Sequence, residues 1–132
     1  MNIPAKLKIA DVKEICVIDD DSTSSFLAEK IFEYELPGIP FKSFENVDTS
    51  LSYLSDNQHT QRLILVDLNM PIKDGWNFLE NYNFNADKDL IFILSSSENI
   101  ADKNKAKSFS QVAGYIEKPI TIECVIEIRN KY

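Results

Sequence analysis

Four groups of polar residues each follow an apolar run, and together they have the makings of a reactive centre. Asp19-Asp20-Asp21 follow ICVI, Asp67 follows LILV, Ser95-Ser96-Ser97 follow LIFIL, and Lys118-Pro119 follow GYIE. Two carboxylates ~4 Å apart repel by about 4 kcal/mol at an effective dielectric near 20, so a positive charge must sit among them. An oxygen-only site with few carboxylates suits a hydrated Mg²⁺ or Mn²⁺ better than zinc. A lysine and a hydroxyl beside such a metal and a lone carboxylate make a place for a phosphoryl group. The aspartate can itself be the nucleophile, giving an acyl phosphate. Each residue alone has a duller explanation. Asp20 or Asp21 could cap a helix, Asp67 could sit in a turn, the serines could cap the next helix, and Lys118 could be a surface lysine. Those explanations leave the convergence of all four groups unaccounted for.

Convergence depends on the elements that carry them. Five β-rich runs stand out: Glu14–Ile18, Ile39–Phe44, Leu63–Val66, Leu90–Leu94 and Ala113–Glu117. The central ones are apolar throughout rather than alternating, which is the pattern of strands covered on both faces. Between them lie segments of helical length. Ser22–Glu35 places Phe26, Leu27, Lys30, Ile31 and Tyr34 at helical spacing and is stopped by Pro37-Gly38. Val47–Leu54, Trp76–Tyr82 (entered through Asp74-Gly75), Asn99–Phe109 with Ile100, Ala106 and Phe109 as apolar contacts, and Ile120–Lys131 follow. Alternating strands and helices predict an α/β, doubly wound, five-stranded parallel sheet with helices on both faces. In the order 2-1-3-4-5, strands 1 and 3 are neighbours and ligands bind at the carboxyl ends of the strands. Asp19, Asp20 and Asp67 then share one crevice, flanked by Ser95 and Lys118. Residues 1–13 read as an N-terminal lead-in, with their packing left open.

Composition sets the outer bounds. The chain has 132 residues, 44% of them apolar, which is enough for one core and too little for two. Fourteen basic against 21 acidic residues leave a net charge of -7, which disfavours nucleic acid and anionic lipid as partners. Cys16 and Cys124 are far apart and flanked by apolar residues, so buried reduced thiols are expected. With no secretory signal and no stretch near the ~20 apolar residues of a membrane span, a cytoplasmic protein is expected.

ICVIDDD, LVDLNMPIKDGW, ILSSS and GYIEKP, in this order and spacing, resemble the receiver domain of response regulators, the CheY-like fold. The resemblance runs from Glu14 to about Asn130, so residues 14–132 are expected to form the receiver domain. It implies that Asp67 is the phosphoacceptor. Asp20 would bind Mg²⁺ directly, Asp19 through water, and Asn69 through its backbone carbonyl. Ser95 would be the switch hydroxyl, Lys118 the lysine that pairs with the phosphoryl group, Tyr115 the aromatic that changes rotamer, and Pro119 would follow a cis peptide bond. Asn69 and Ser97 match the positions that tune dephosphorylation. The implied donor is a histidine kinase or histidine phosphotransfer protein. The implied output is a protein target at the surface of the fourth helix, fifth strand and fifth helix, reached from a distance. Self-catalysed phosphorylation and dephosphorylation, not turnover, would be the chemistry. Ser96 departs from the family pattern, where a small apolar residue is commoner.

Other readings compete. A Mg²⁺-dependent phosphohydrolase with an aspartyl nucleophile would want a second acid where Asn69 stands. A flavodoxin-like cofactor binder would want a Gly-rich phosphate loop, which is missing. The chain reads as a free-standing regulator, with a relay intermediate or a receiver excised from a hybrid histidine kinase as the alternatives. His59 reads as a solvated loop residue, Trp76 as packing or a half-exposed ring, and Lys103, Lys105 and Lys107 as a solvated face.

Overall fold

The computed structural model describes residues 6–96 and 100–132. A 3₁₀ turn, Ile9–Asp11, leads into five strand–helix repeats. These are β1 (Glu14–Ile18), α1 (Ser22–Glu35), β2 (Phe41–Phe44), α2 (Val47–Asp56), β3 (Arg62–Asp67), α3 (Gly75–Asn81), β4 (Asp89–Ser95), α4 (Ile100–Lys107), β5 (Val112–Glu117) and α5 (Ile122–Lys131). The five strands form one sheet in the order β2-β1-β3-β4-β5, every neighbouring pair parallel. The doubly wound order expected from the apolar runs is therefore the observed one.

Alternate residues of each central strand feed opposite cores. Ile15, Val17, Leu63, Leu65, Leu90 and Phe92 pack with Ala28 and Phe32 of α1 and Val125 and Ile128 of α5. Cys16, Ile18, Ile64, Val66, Ile91 and Ile93 pack with Leu54 of α2, Phe78 and Leu79 of α3, and Ala106 of α4. Burial on both faces explains why these strands are apolar at consecutive positions. From residue 6 onward the lead-in packs too: Leu7, Ile9 and Val12 are buried in the first core. Its backbone is tied down by the Lys6 N–H to Ala86 O (2.7 Å), Ile9 N–H to Tyr132 O (3.2 Å) and Lys13 N–H to Gln61 O (2.8 Å).

Three local expectations are corrected. Of the residues at helical spacing in α1, Phe26, Leu27 and Tyr34 face solvent, at 59%, 42% and 79% exposure, while Ser25, Ala28 and Phe32 face the sheet. Small residues let the helix sit close, so the larger apolar side chains are left outside. The second strand starts at Phe41, not Ile39, because Gly38 takes a positive φ of 85° and Pro40 has no N–H to pair. In α4, Ile100 is exposed and Ala106 is the buried position. Cys16 is fully buried, whereas Cys124 is only partly so, and both are free thiols. Burial, together with the neighbouring Glu14 carboxylate, pushes the Cys16 thiol far up, so it is inert.

At the amino ends of the central strands the register places Glu14, Arg62 and Asp89 side by side. Arg62 Nε donates to Glu14 Oε1 at 2.7 Å, and Tyr53 Oη donates to Glu14 Oε2 at 2.7 Å. Burial works to raise the Glu14 carboxyl, but Arg62 and Tyr53 outweigh it and hold it below the usual range. Asp89 accepts from Tyr82 Oη (2.7 Å) and from the Asn85 N–H (2.8 Å). Burial is the larger influence there and leaves its carboxyl above the usual range.

Two expected outcomes follow from this layer. Arg62→Leu strands a buried Glu14 carboxylate and should cost about 3–5 kcal/mol in urea unfolding, with Glu14→Leu/Arg62→Leu recovering much of the loss. Asp89 is more easily protonated folded than unfolded, so its contribution to stability is full below 3.8 and is lost as pH rises through the folded value. The stability advantage of wild type over Asp89→Asn should shrink as pH rises above 3.8, measured by unfolding across a pH series.

Candidate functional site

The carboxyl edge of the sheet is built from the chain turns that leave β1, β3, β4 and β5. Asp19 follows β1 directly and is anchored by its N–H to Phe44 O at 2.9 Å. Its Oδ1 accepts the Asp21 N–H at 2.9 Å, which turns the chain back on itself. Asp21, not Asp20, is the helix cap: its carboxylate accepts the Thr23 and Ser24 N–H groups at 3.0 and 3.2 Å. That leaves Asp20 exposed and uncommitted to the helix, beside a fully buried Asp19.

Asp67 closes β3, one step beyond the Ile18–Val66 register pair, so it stands next to Asp19. It is 4% exposed. Its Oδ1 accepts the Asn69 N–H at 3.0 Å and its Oδ2 accepts from Lys118 Nζ at 3.1 Å. Carboxylate oxygens of Asp19, Asp20 and Asp67 lie within 4.8 Å of one another. Lys118 also approaches Asp19 Oδ2 at 2.8 Å. That one ammonium is thus shared between the two buried carboxylates.

Lys118 is aimed by the backbone. Its N–H donates to Ser95 O at 2.8 Å, and the Lys118–Pro119 peptide is cis. Burial pulls its ammonium down, but Asp19 and Asp67 outweigh burial and hold it above the usual lysine range. For Asp67 the balance runs the other way. Burial pushes its carboxyl up, the Asn69 N–H opposes, the Asp19 charge adds to the rise, and Lys118 only partly offsets it. One lysine does not neutralise two buried carboxylates and an exposed third. A hard divalent cation fits the surplus: three carboxylates with oxygens within 4.8 Å of one another, oxygen donors only, and one of them exposed.

The remaining expected residues fall around this core. Ser95 is fully buried at the end of β4, opposite Glu117 in register, and Ser96 is exposed. Ser97 lies outside the described residues. Asn69 is exposed above Asp67, and Tyr115 is half-buried on β5 with Lys103 Nζ 5.6 Å from its ring centroid. His59 is exposed. Trp76 stacks on Phe109 at 5.6 Å and carries Lys105 Nζ 4.5 Å from its ring centroid.

Gly75 was legible in the sequence only as the entry to a helix, and the structure gives it a second task. A Cβ there would stand 2.6 Å from Asp67 O, so α3 reaches the strand end only because position 75 has no side chain. Asp74 caps that helix through the Asn77 N–H at 3.0 Å. An Asp-Gly pair that starts a helix a few residues after a reactive aspartate is the signal that points to it.

Comparison with known proteins agrees with this geometry. A profile of the response regulator receiver domain matches residues 15–129. No curated protein matches the sequence. A two-component response regulator from Cytophaga hutchinsonii is 25% identical with a TM-score of 0.80, over 92% of this chain and 96% of its own. The Mn²⁺-bound form of response regulator Rcp1 is 21% identical with a TM-score of 0.69, over 89% of this chain and 90% of its own. A Burkholderia pseudomallei response regulator with a phosphorylated aspartic acid, calcium ion and citrate is 21% identical with a TM-score of 0.68. It is matched over 88% of this chain and 65% of its own.

Gly75→Ala should cost about 1–3 kcal/mol in urea unfolding and weaken divalent-cation binding, because the new methyl displaces the Asp67 carbonyl. Gly38→Ala, at a positive φ with open space around it, should cost about 1–2 kcal/mol and leave cation binding unchanged. Isothermal titration with Mg²⁺ on both variants separates the two effects.

Proposed function

The chain belongs to the response regulator receiver domain family, and from that premise we propose that it accepts a phosphoryl group on Asp67. The donor in this reading is the phosphohistidine of a histidine kinase or histidine phosphotransfer protein. An Asp67 carboxylate oxygen forms the new bond to phosphorus while the histidine N–P bond breaks, and the imidazole leaves with its electron pair. The observation that carries the reading is the placement of Asp67: a strand-end carboxylate, beside two further acids and held by a lysine.

Each neighbour has a task. Lys118 is already within 3.1 Å of Asp67 Oδ2, so it can follow the negative charge as that charge moves from the carboxylate to the phosphoryl oxygens. Ser95, on the backbone that Lys118 pairs with, supplies a hydroxyl that draws toward the phosphoryl group. Tyr115 follows, and the surface of α4, β5 and α5 changes for a protein target. Asp20, Asp67 and the Asn69 carbonyl would hold Mg²⁺ or Mn²⁺, with Asp19 acting through water. When bound, the ion supplies Lewis-acid neutralisation of the phosphoryl oxygens. The Mn²⁺-bound relative, and the one carrying calcium and a phosphorylated aspartate, support that role for the acidic cluster.

In this reading the domain, residues 14–132, is a phosphoacceptor that catalyses its own gain and loss of phosphate. Asn69 and Ser97 set how fast the acyl phosphate hydrolyses. In this reading the domain acts in the cytoplasm; among the described residues no helix is long and apolar enough to cross a membrane.

Intact-mass spectrometry after incubation with acetyl phosphate is the test. Wild type with Mg²⁺ should gain one phosphoryl group, and Asp67→Asn or wild type with EDTA should gain none. Lys118→Ala should keep Mg²⁺ binding but lose about 1.5–3 kcal/mol of charge-assisted contact to the phosphoryl group, seen as slower phosphorylation. A stable adduct on Asp67→Asn would place the acceptor elsewhere and overturn the assignment.

A further inference from the structure

The loop from Asp67 to α3 carries an apolar side chain that nothing in the folded chain covers. Ile72 is 103% exposed, and among the described residues it is the non-glycine residue with a positive φ, at 70°. The Lys73 N–H donates to Pro71 O at 2.8 Å, which makes Ile72 the apex of a γ-turn of the rare, strained kind. Such a φ is hardest for a β-branched residue, and asparagine or glycine takes it more easily. The turn is nonetheless fixed from both sides. Pro71 has a locked φ, and Lys73 Nζ meets Asp48 Oδ1 at 2.7 Å. No contact of the isoleucine within the chain repays its strain. A strained residue that its surroundings hold in place points to a use outside the fold.

Ile72 has company. Among the described residues the other exposed large apolar side chains are Phe26, Leu27, Tyr34, Ile100 and Ile122. All but Tyr34 follow closely on a strand end at the carboxyl edge. Phe26 and Leu27 lie in the first two turns of α1, and Ile100 and Ile122 open α4 and α5. The segments that leave the sheet around the acidic crevice therefore each bring an apolar side chain into solvent. Apolar side chains gathered round a polar centre mark a surface that another protein covers.

The occupant follows from where Ile72 stands. Gly75 lies against Asp67 O, where a Cβ would be 2.6 Å away. Ile72 is three residues before Gly75, so the chain allows at most ~11 Å between them. A protein of standard interface size buries about 800 Å² on its partner, a disc of roughly 16 Å radius. One that covers Asp67 to deliver a phosphoryl group thus reaches Ile72. A small phosphodonor enters the crevice without touching it.

We propose that Ile72 is a specificity-determining contact for the protein phosphodonor, held out by the strained turn to enter an apolar hollow on that protein. The proposal rests on the reading of Asp67 as phosphoacceptor and adds the residue by which one donor protein is told from another. The turn keeps the side chain extended before the donor arrives, so little ordering is left to do on docking.

The test sets phosphotransfer from proteins against phosphorylation by acetyl phosphate. The protein donors are the phosphorylated histidine kinase cores and histidine phosphotransfer proteins of the organism that encodes this chain. The fastest of them on wild type is carried forward. Ile72→Asn removes the apolar side chain and suits the turn. It should lower the second-order rate constant of transfer from that protein about ten- to hundredfold and leave the rate at saturating donor unchanged. Its labelling by acetyl phosphate and its Mg²⁺ affinity should stay within about twofold of wild type. Its Tm should rise by roughly 2–6 °C as the strain is relieved. Ile72→Leu should bring transfer back to within about threefold of wild type. Unchanged transfer to Ile72→Asn, an equal slowing with acetyl phosphate, or a lower Tm would each overturn the proposal. Labelling of wild type by acetyl phosphate but by none of the proteins would overturn it too. A wild type that neither kind of donor labels at Asp67 would overturn the reading of Asp67 itself, and the proposal with it.

Discussion

Asp19 and Asp67 end two adjacent parallel strands in register, so their carboxylates are forced together at the sheet edge with little water around them. Like charges at such spacing repel by several kcal/mol in a protein interior. Everything around them is arranged to make that tolerable. Backbone N–H groups of Asp21 and Asn69 each take one carboxylate oxygen. Lys118 is delivered to both acids from the far side of the sheet, its backbone fixed on Ser95. The compensation is incomplete, since Asp67 remains harder to ionise than an ordinary aspartate. A site left short of positive charge, with one acid exposed, is one that a cation and a phosphoryl group can both complete.

The two ends of the same sheet handle charge in opposite ways. At the amino edge, Glu14 and Arg62 form a closed pair with Tyr53, and Asp89 is satisfied by Tyr82 and Asn85. The charges at that end are paired with one another, apart from one buried Arg62 nitrogen without a hydrogen-bond partner. At the carboxyl edge the chain leaves the sheet by turns, so backbone N–H groups and short side chains converge without helices covering them. Parallel topology sends every strand end of one polarity to that edge, which is why the reactive residues gather there.

Helix placement follows the same constraint. Gly75 brings α3 against the Asp67 carbonyl, and Asp21 takes over the capping of α1 so that Asp20 stays free. On α1 the small residues Ser25 and Ala28 face the sheet. The larger Phe26 and Leu27 are thereby left outside.

The apolar runs and their alternation with helical segments determined the α/β class and the parallel sheet, because strands buried on both faces must be apolar at consecutive positions, while the strand order was observed only in three dimensions. The polar residues after those runs likewise determined which side chains meet, since strand ends of one polarity share an edge. Other features were settled only in three dimensions. Asp20 and Asp21 are chemically equal in sequence, and only the geometry of the turn out of β1 decides which of them caps the helix. Arg62 and Asp89 lie just outside the apolar runs of the sequence, and only register sets them beside Glu14 in a buried layer. The face of α1 was ambiguous because Phe26 and Leu27 have the spacing of a core stripe. How close a helix can approach a sheet is a property of the packed pair, and tertiary packing chose Ser25 and Ala28.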